Sequence, residues 1–222
     1  MSNLFDDSSL AMIPTAYKDG KLYSVRPTDG AGDFTFTRGS NLSATRVNAS
    51  QLIEKGRENL LLQSNQFDTT WTTLNTSVTS GQSGYDGSND AWLITKVSAN
   101  GRMEQSVSSS RVNTLSVYAK ANDSDWALIQ HIGGGNPYAF FNISTGEKGA
   151  LGGGAIDSEI ESVGNGWYRL SITSNVIIIQ VRIYPSEANT TSGTSGSIYI
   201  QDAQAELSLV ATPYIETGAS TA

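Results

Sequence analysis

Residues 59–71 read Asn59-Leu60-Leu61-Leu62-Gln63-Ser64-Asn65-Gln66-Phe67-Asp68-Thr69-Thr70-Trp71, and this stretch decides the fold. An apolar run opens it, Ser64-Asn65 breaks it, and the Phe67 and Trp71 rings close it. Late in the chain Ser197–Ile215 (SIYIQDAQAELSLVATPYI) looks like its partner. A first strand lying beside the last strand is what closes a jelly-roll sandwich. The sequence therefore predicts an all-β protein, with a jelly-roll β-sandwich over residues 59–222 and an extended, short-stranded segment over residues 1–58.

Between those two stretches the chain reads as short strands separated by Gly, Asn and Ser turns, with no convincing helix. Leu115, Val117 and Ala119 alternate with Ser116, Tyr118 and Lys120. Trp126, Leu128, Gln130 and Ile132 alternate with Ala127, Ile129 and His131. In the run Val176–Tyr184, Ile177, Ile179, Val181 and Ile183 fall on one face of a strand by period-two counting. Gly164-Asn165-Gly166 is a hairpin signal. Residues 1–58 carry scattered Pro and Gly, and their apolar groups are too interrupted for a core of their own. Phe34, Phe36, Val47, Leu52 and Ile53 are the side chains expected to dock this segment onto something else.

The chain has 222 residues, enough to bury a sizeable core without staples, and no Cys, which removes disulfides and thiolate chemistry together. A formal net charge of −7 argues against a nucleic-acid backbone as partner. The longest aliphatic run, Val176–Ile179, is too short to cross a bilayer. Asp6 and Asp7 stand where a signal peptide carries positive charge, so no cleaved leader is expected.

Several motifs, in order, resemble a known family. They are Asn59–Leu62 with Asn65-Gln66-Phe67 and Trp71, then Gly164–Arg169, then Ile198–Ile200 with Ala203–Glu206 and Tyr214-Ile215. They look like the jelly-roll domains of tailed-bacteriophage virion proteins, which are similar to carbohydrate-binding modules of the CBM4/9 type. The upstream run Gly32–Arg38, Ala44–Asn48 and Leu52–Glu54 resembles a segment that often precedes such domains. The resemblance implies a non-enzymatic virion protein, on the capsid surface or in a tail fibre, assembled in the host cytoplasm. Its partners would be other virion proteins and sister chains, a trimer being the first expectation. The alternative is a module that binds host-surface glycans.

Catalysis has little to work with. A Ser-His-Asp arrangement would need His131, the only histidine, which sits within an apolar strand pattern. Asp157, Glu159 and Glu161 share one strand face and read as a solvated acidic strip rather than a pair flanking a sugar. For a glycan site the candidates on outward strand faces are Tyr118, Gln130, Trp167, Arg169, Gln180, Arg182 and Tyr184. No cofactor is expected beyond a structural Ca²⁺. The CBM4/9 resemblance implies one where the first and last strands meet, with Asp68 and Asp202 as the matching carboxylates. The sequence departs from that pattern, because Gln201-Asp202 stands where two acidic residues are usual.

Overall fold

The structure is a computed structural model and describes residues 8–18, 21–35, 45–47, 53–55, 57–109 and 112–220. The chain divides into two compact units, Met1–Asn41 and Leu42–Ala222. The first holds one antiparallel sheet of β1 (Ala11–Lys18), β2 (Lys21–Arg26) and β3 (Phe34–Thr35). Asp33 ties its loop to β2. Its carboxylate accepts from Ser24 N at 2.8 Å and Ser24 Oγ at 3.1 Å, and Lys21 Nζ lies 3.1 Å away. The Ser24 backbone bond and the lysine hold the Asp33 carboxyl below its ordinary pKa.

The larger unit is a β-sandwich of jelly-roll type, and every strand pair is antiparallel. A short hairpin, β4 (Thr45–Val47) with β5 (Ile53–Lys55), precedes it. Sheet I runs in the order β14-β15-β10-β17-β8-β7. Its strands are β7 (Thr76–Gln82), β8 (Ala91–Lys96), β10 (Asn113–Ala121), β14 (Ala155–Gly164), β15 (Trp167–Ser174) and β17 (Ser197–Glu206). Sheet II runs β13-β12-β11-β16-β9-β6. It contains β6 (Thr72–Leu74), β9 (Arg102–Ser109), β11 (Trp126–Gly133), β12 (Tyr138–Asn142), β13 (Glu147–Gly152) and β16 (Ile178–Ser186). No helix occurs among the described residues.

The two inner faces make one core. Sheet I contributes Leu115, Val117, Leu170, Ile172, Ile198 and Ile200, and sheet II contributes Met103, Ile129, Phe141, Val181 and Ile183. Each such side chain stabilises the fold by about 2 kcal/mol when fully buried. Period-two alternation puts these residues inward and their neighbours outward. At the hairpin from β14 to β15, Gly164 pairs with Trp167, and both Asn165 and Gly166 have positive φ. That is the geometry an Asn-Gly turn supplies.

The opening stretch does lie beside the last strand, but not as a strand. β17 pairs with β8 only from Ser197 to Ile200. A bulge follows, with Asp202 at φ 53°, and beyond it the backbone turns to residues 59–64. Leu60 N donates to Ala205 O at 2.7 Å, and Ala203 N donates to Ser64 O at 3.0 Å. The Asn59 side chain supplies the rest of the seam. Its Oδ1 accepts from Leu61 N and Ala205 N, and its Nδ2 donates to Ala203 O and Ile215 O. Gln105 of sheet II clips the segment's other side, accepting from Leu62 N and donating to Leu62 O. Phe67 packs between Trp71, tilted at 5.1 Å, and Trp92, edge-on at 6.1 Å.

A second correction concerns β16. Ile177 and Ile179 are exposed, while Ile178 is fully buried. The pairing of β16 slips between Ile178 and Gln180, so the alternation inverts at that bulge and resumes with Val181 and Ile183 inward.

Candidate functional site

The outer faces of the two sheets differ. On sheet I, Tyr85 stacks flat on Tyr118 at 3.8 Å and meets Trp167 edge-on at 6.3 Å. The C-terminal segment covers the adjoining area. Arg169 Nη2 donates to Thr212 O and to Ser116 Oγ, Thr212 donates to Glu206, and Ile215 N donates to Gln204 Oε1. Trp167 is left 1% exposed and Tyr118 9%. Of the expected sugar contacts, Tyr118 and Trp167 therefore serve as packing on a covered area, and Arg169 is a staple that also lines a small pocket of about 170 Å³ with Asp157, Glu159 and Glu161.

On sheet II the outer face is open. Strand register lays one polar row across four strands: Tyr138 of β12, Gln130 of β11, Arg182 of β16 and Glu104 of β9. Beside it Phe140, Leu128 and Tyr184 form an apolar floor, with the half-buried rings of Trp126 and Tyr138 packed against it. Tyr138 and Phe140 meet edge to face at 5.8 Å. Tyr184 Oη donates to Gln130 Oε1 at 3.1 Å, which leaves the Gln130 amide N–H groups for other partners. Burial raises the Tyr184 phenol above its ordinary pKa, so it remains a donor.

The arginines of this face are held by neighbours on the same sheet. Glu104 Oε2 lies 2.7 Å from Arg102 Nε and 3.0 Å from Arg182 Nε, and Arg182 Nε donates to Gln180 Oε1 at 2.7 Å. Arg102 lies over the Tyr184 ring at 5.9 Å. The loop after β16 forms the rim, pinned where Ala150 N donates to Asn189 Oδ1 and Thr191 Oγ1 donates to Asn100 Oδ1. Arg102, Leu128, Gln130, Tyr138, Phe140, Arg182 and Tyr184, with Asn100 and the rim residues 189–191, line a cleft of about 530 Å³, and Glu104 and Gln180 lie behind its lining. Four of the seven expected glycan contacts, Gln130, Gln180, Arg182 and Tyr184, belong to this face. Arg102, Tyr138 and Phe140 join them without having been singled out in the sequence. Only the strand order shows that β9, β11, β12 and β16 are neighbours.

His131 faces the core on β11 and is fully buried. Its Nδ1 bonds Ser174 Oγ of the opposite sheet at 2.8 Å, and its Nε2 has no partner. Burial lowers its pKa to about 4. The ring is closed to any substrate.

The residues present do not fit the Ca²⁺ site that the resemblance implies. Asp68 is exposed in the turn after Phe67. Asp202 is buried and accepts from Tyr85 Oη at 2.9 Å, and burial lifts its carboxyl to about 6. A carboxylate already engaged by a phenol donor has less left to offer a hard cation. Among the described residues no three carboxylate or imidazole side chains are grouped to hold a metal. Of the expected docking residues, Phe34 is 52% exposed on β3, and Val47 pairs with Ile53 across β4 and β5. Phe36 and Leu52 lie outside the described residues.

No protein-family model matches the chain, and no curated protein matches its sequence. Among solved structures it is similar to the CBM22-1 xylan-binding domain of Paenibacillus barcinonensis Xyn10C, at 16% identity and a TM-score of 0.41, covering 69% of this chain and 96% of that one. A second xylan-binding CBM22 domain is 14% identical, with a TM-score of 0.43 and 69% and 97% coverage. The CBM22-1–GH10 modules of Clostridium thermocellum endo-1,4-beta-D-xylanase 10B are 13% identical, with a TM-score of 0.41. There the match covers 72% of this chain and 29% of that one. The likeness is one of architecture and assigns no ligand.

Proposed function

We propose that the larger unit is a non-enzymatic saccharide-binding module whose site is the outer face of sheet II. The observation that carries this is the asymmetry of the sandwich. On sheet I, Tyr85 and the C-terminal segment cover the aromatic residues and leave only a small, acid-lined pocket of about 170 Å³, while sheet II holds a larger open cleft with an aromatic floor and a row of side-chain amides and guanidinium groups. A cleft of about 530 Å³ suits a few sugar rings. Sugar C–H faces pack on aromatic surface while hydroxyls bond Gln130, Arg102 and Arg182. Hydrolysis is a poorer reading, because no carboxylate lines the cleft, and glycoside cleavage needs two flanking the scissile bond.

A glycan array tests this with the full chain and two variants, Gln130→Ala and Tyr138→Ala. Binding to at least one saccharide class, weakened about tenfold or more in both variants, is expected. Unchanged binding in both would remove this face from consideration.

The separate N-terminal unit favours a second, compatible reading. We propose that it attaches the module to a larger assembly, a tailed-phage particle with sister chains in a trimer, as the sequence resemblance implies. Phe34, exposed on β3, is its clearest contact candidate. Deleting residues 1–41 is expected to leave the urea midpoint of the sandwich unchanged while abolishing incorporation into particles. A truncated chain that still decorates particles would rule out attachment through this unit.

A further inference from the structure

The charge of the cleft runs against that of the chain. The protein carries a formal net charge of −7, yet the cleft is lined by Arg102 and Arg182 and by no carboxylate. Glu104 binds both arginines through one oxygen and neutralises only one of the two charges. It contacts them through Nε, leaving the far ends of the guanidinium groups pointed elsewhere. Arg102 Nη1 reaches Asn100 O at 3.4 Å, and among the described residues the Nη groups of Arg182 donate no hydrogen bond. Arg182 stands between Gln130 and Glu104 in the polar row, so its free donors lie beside the Gln130 amide. Both arginine side chains are mostly buried, at 15% and 23% exposure. Their planes are held by Glu104, Gln180 and the Tyr184 ring before any ligand arrives. A preset guanidinium fork with unpaired N–H groups matches two oxygens of one anion. A sugar hydroxyl can accept only part of that donor set.

Resting on the saccharide-binding reading above, we infer that the cleft selects acidic saccharides: a pyranose bearing a carboxylate or a sulfate ester, its two anionic oxygens on Arg182 with Arg102 adding charge. The floor of Leu128, Phe140 and Tyr184 takes the ring's apolar face, and Gln130 takes a hydroxyl. Selectivity comes from the neutral competitor, which leaves the Arg182 donors unpaired in a partly dry cleft.

The test is calorimetric titration of the full chain with two matched pairs of probes: oligogalacturonate and the same oligomer after carboxyl reduction, and a sulfated galactan oligomer and its unsulfated form. The first pair differs only at C6, so ring stacking is held constant. At least about tenfold tighter binding of one anionic probe over its neutral form is expected, and the preferred probe identifies the anion as carboxylate or sulfate. The preference should shrink at high salt, since the pair is only partly buried. Arg182→Gln should bring the acidic-to-neutral ratio close to one, and Arg182→Lys should retain part of it, with unchanged melting temperatures showing that both variants are folded. Equal affinity for acidic and neutral forms, or a preference that survives Arg182→Gln, would overturn the inference and leave the saccharide face standing. If these probes and every saccharide on the array fail to bind, the module reading falls and takes this inference with it.

Discussion

Asn59→Ala is expected to destabilise the sandwich by about 4 kcal/mol or more, a large part of the stability of a typical domain. The side chain is fully buried and makes four hydrogen bonds, all to backbone groups. Two of those groups are on β17, one is on Leu61, and one is on the C-terminal segment at Ile215. Truncation leaves Leu61 N, Ala205 N, Ala203 O and Ile215 O without the partners that Asn59 supplied. Each buried polar group left unpaired costs roughly 1–3 kcal/mol. Asn59→Asp keeps the acceptor but loses both donors and buries a charge, so it should fare little better. Urea unfolding checks this. A loss below about 1 kcal/mol would mean that the seam between residues 59–64 and β17 is held by backbone contacts alone.

Acidification provides the second large effect. His131 is buried with a pKa near 4, below the unfolded value of about 6.5. Between those values the unfolded chain binds the extra proton, so the His131 contribution is full above about pH 6.5 and falls away as pH drops toward 4. The wild type should therefore lose about 3 kcal/mol more than His131→Leu between about pH 7 and pH 4. Asp202 works in the opposite sense. Its carboxyl, raised to about 6, makes the fold more stable as pH falls through that value, in both proteins alike. It cancels in the difference. Parallel stability curves for the two proteins would show that His131 takes up its proton equally readily in the native and unfolded states, at odds with its burial.

The core of this fold was legible in the sequence, and of its four edge strands only β14, with its acidic strip, was. The strands read from alternation at Leu115–Lys120, Trp126–Ile132 and Val176–Tyr184 (β10, β11 and β16) lie in sheet interiors, where one face must be apolar. β6, β7 and β13 are edge strands, and they were missed. Thr76–Gln82 offers only Val78 to the core, and four of the six residues of Glu147–Gly152 are glycine or charged, because an edge over solvent imposes no period on its residues. The inversion at Ile177–Ile179 was hidden for a different reason. A bulge changes the face without changing composition. Residues 59–71 were read correctly as the partner of the last strand and wrongly as a strand, since nothing in the pattern shows that the Asn59 side chain replaces ladder bonds.

The same limit explains the site. Period two tells which residues of one strand share a face, so Gln180, Arg182 and Tyr184 were grouped soundly. It does not tell which strands are neighbours, nor which sheet the tail covers. Tyr118 and Trp167 were thus read as surface aromatics when Tyr85 and the C-terminal segment lie over them. Arg102 and Tyr138 became visible only when β9, β11, β12 and β16 came together.

The central claim is that the outer face of sheet II binds saccharide, and backbone amide shift mapping of the full chain tests it most directly. The titrants are xylohexaose, cellohexaose and oligogalacturonate. The account predicts that the shifted amides cluster on β9, β11, β12 and β16 around Gln130, Tyr138 and Arg182, and on the rim near Asn189. Shifts centred on β10 and β15, around Tyr118 and Trp167, would contradict it, as would an unmoved spectrum with all three sugars.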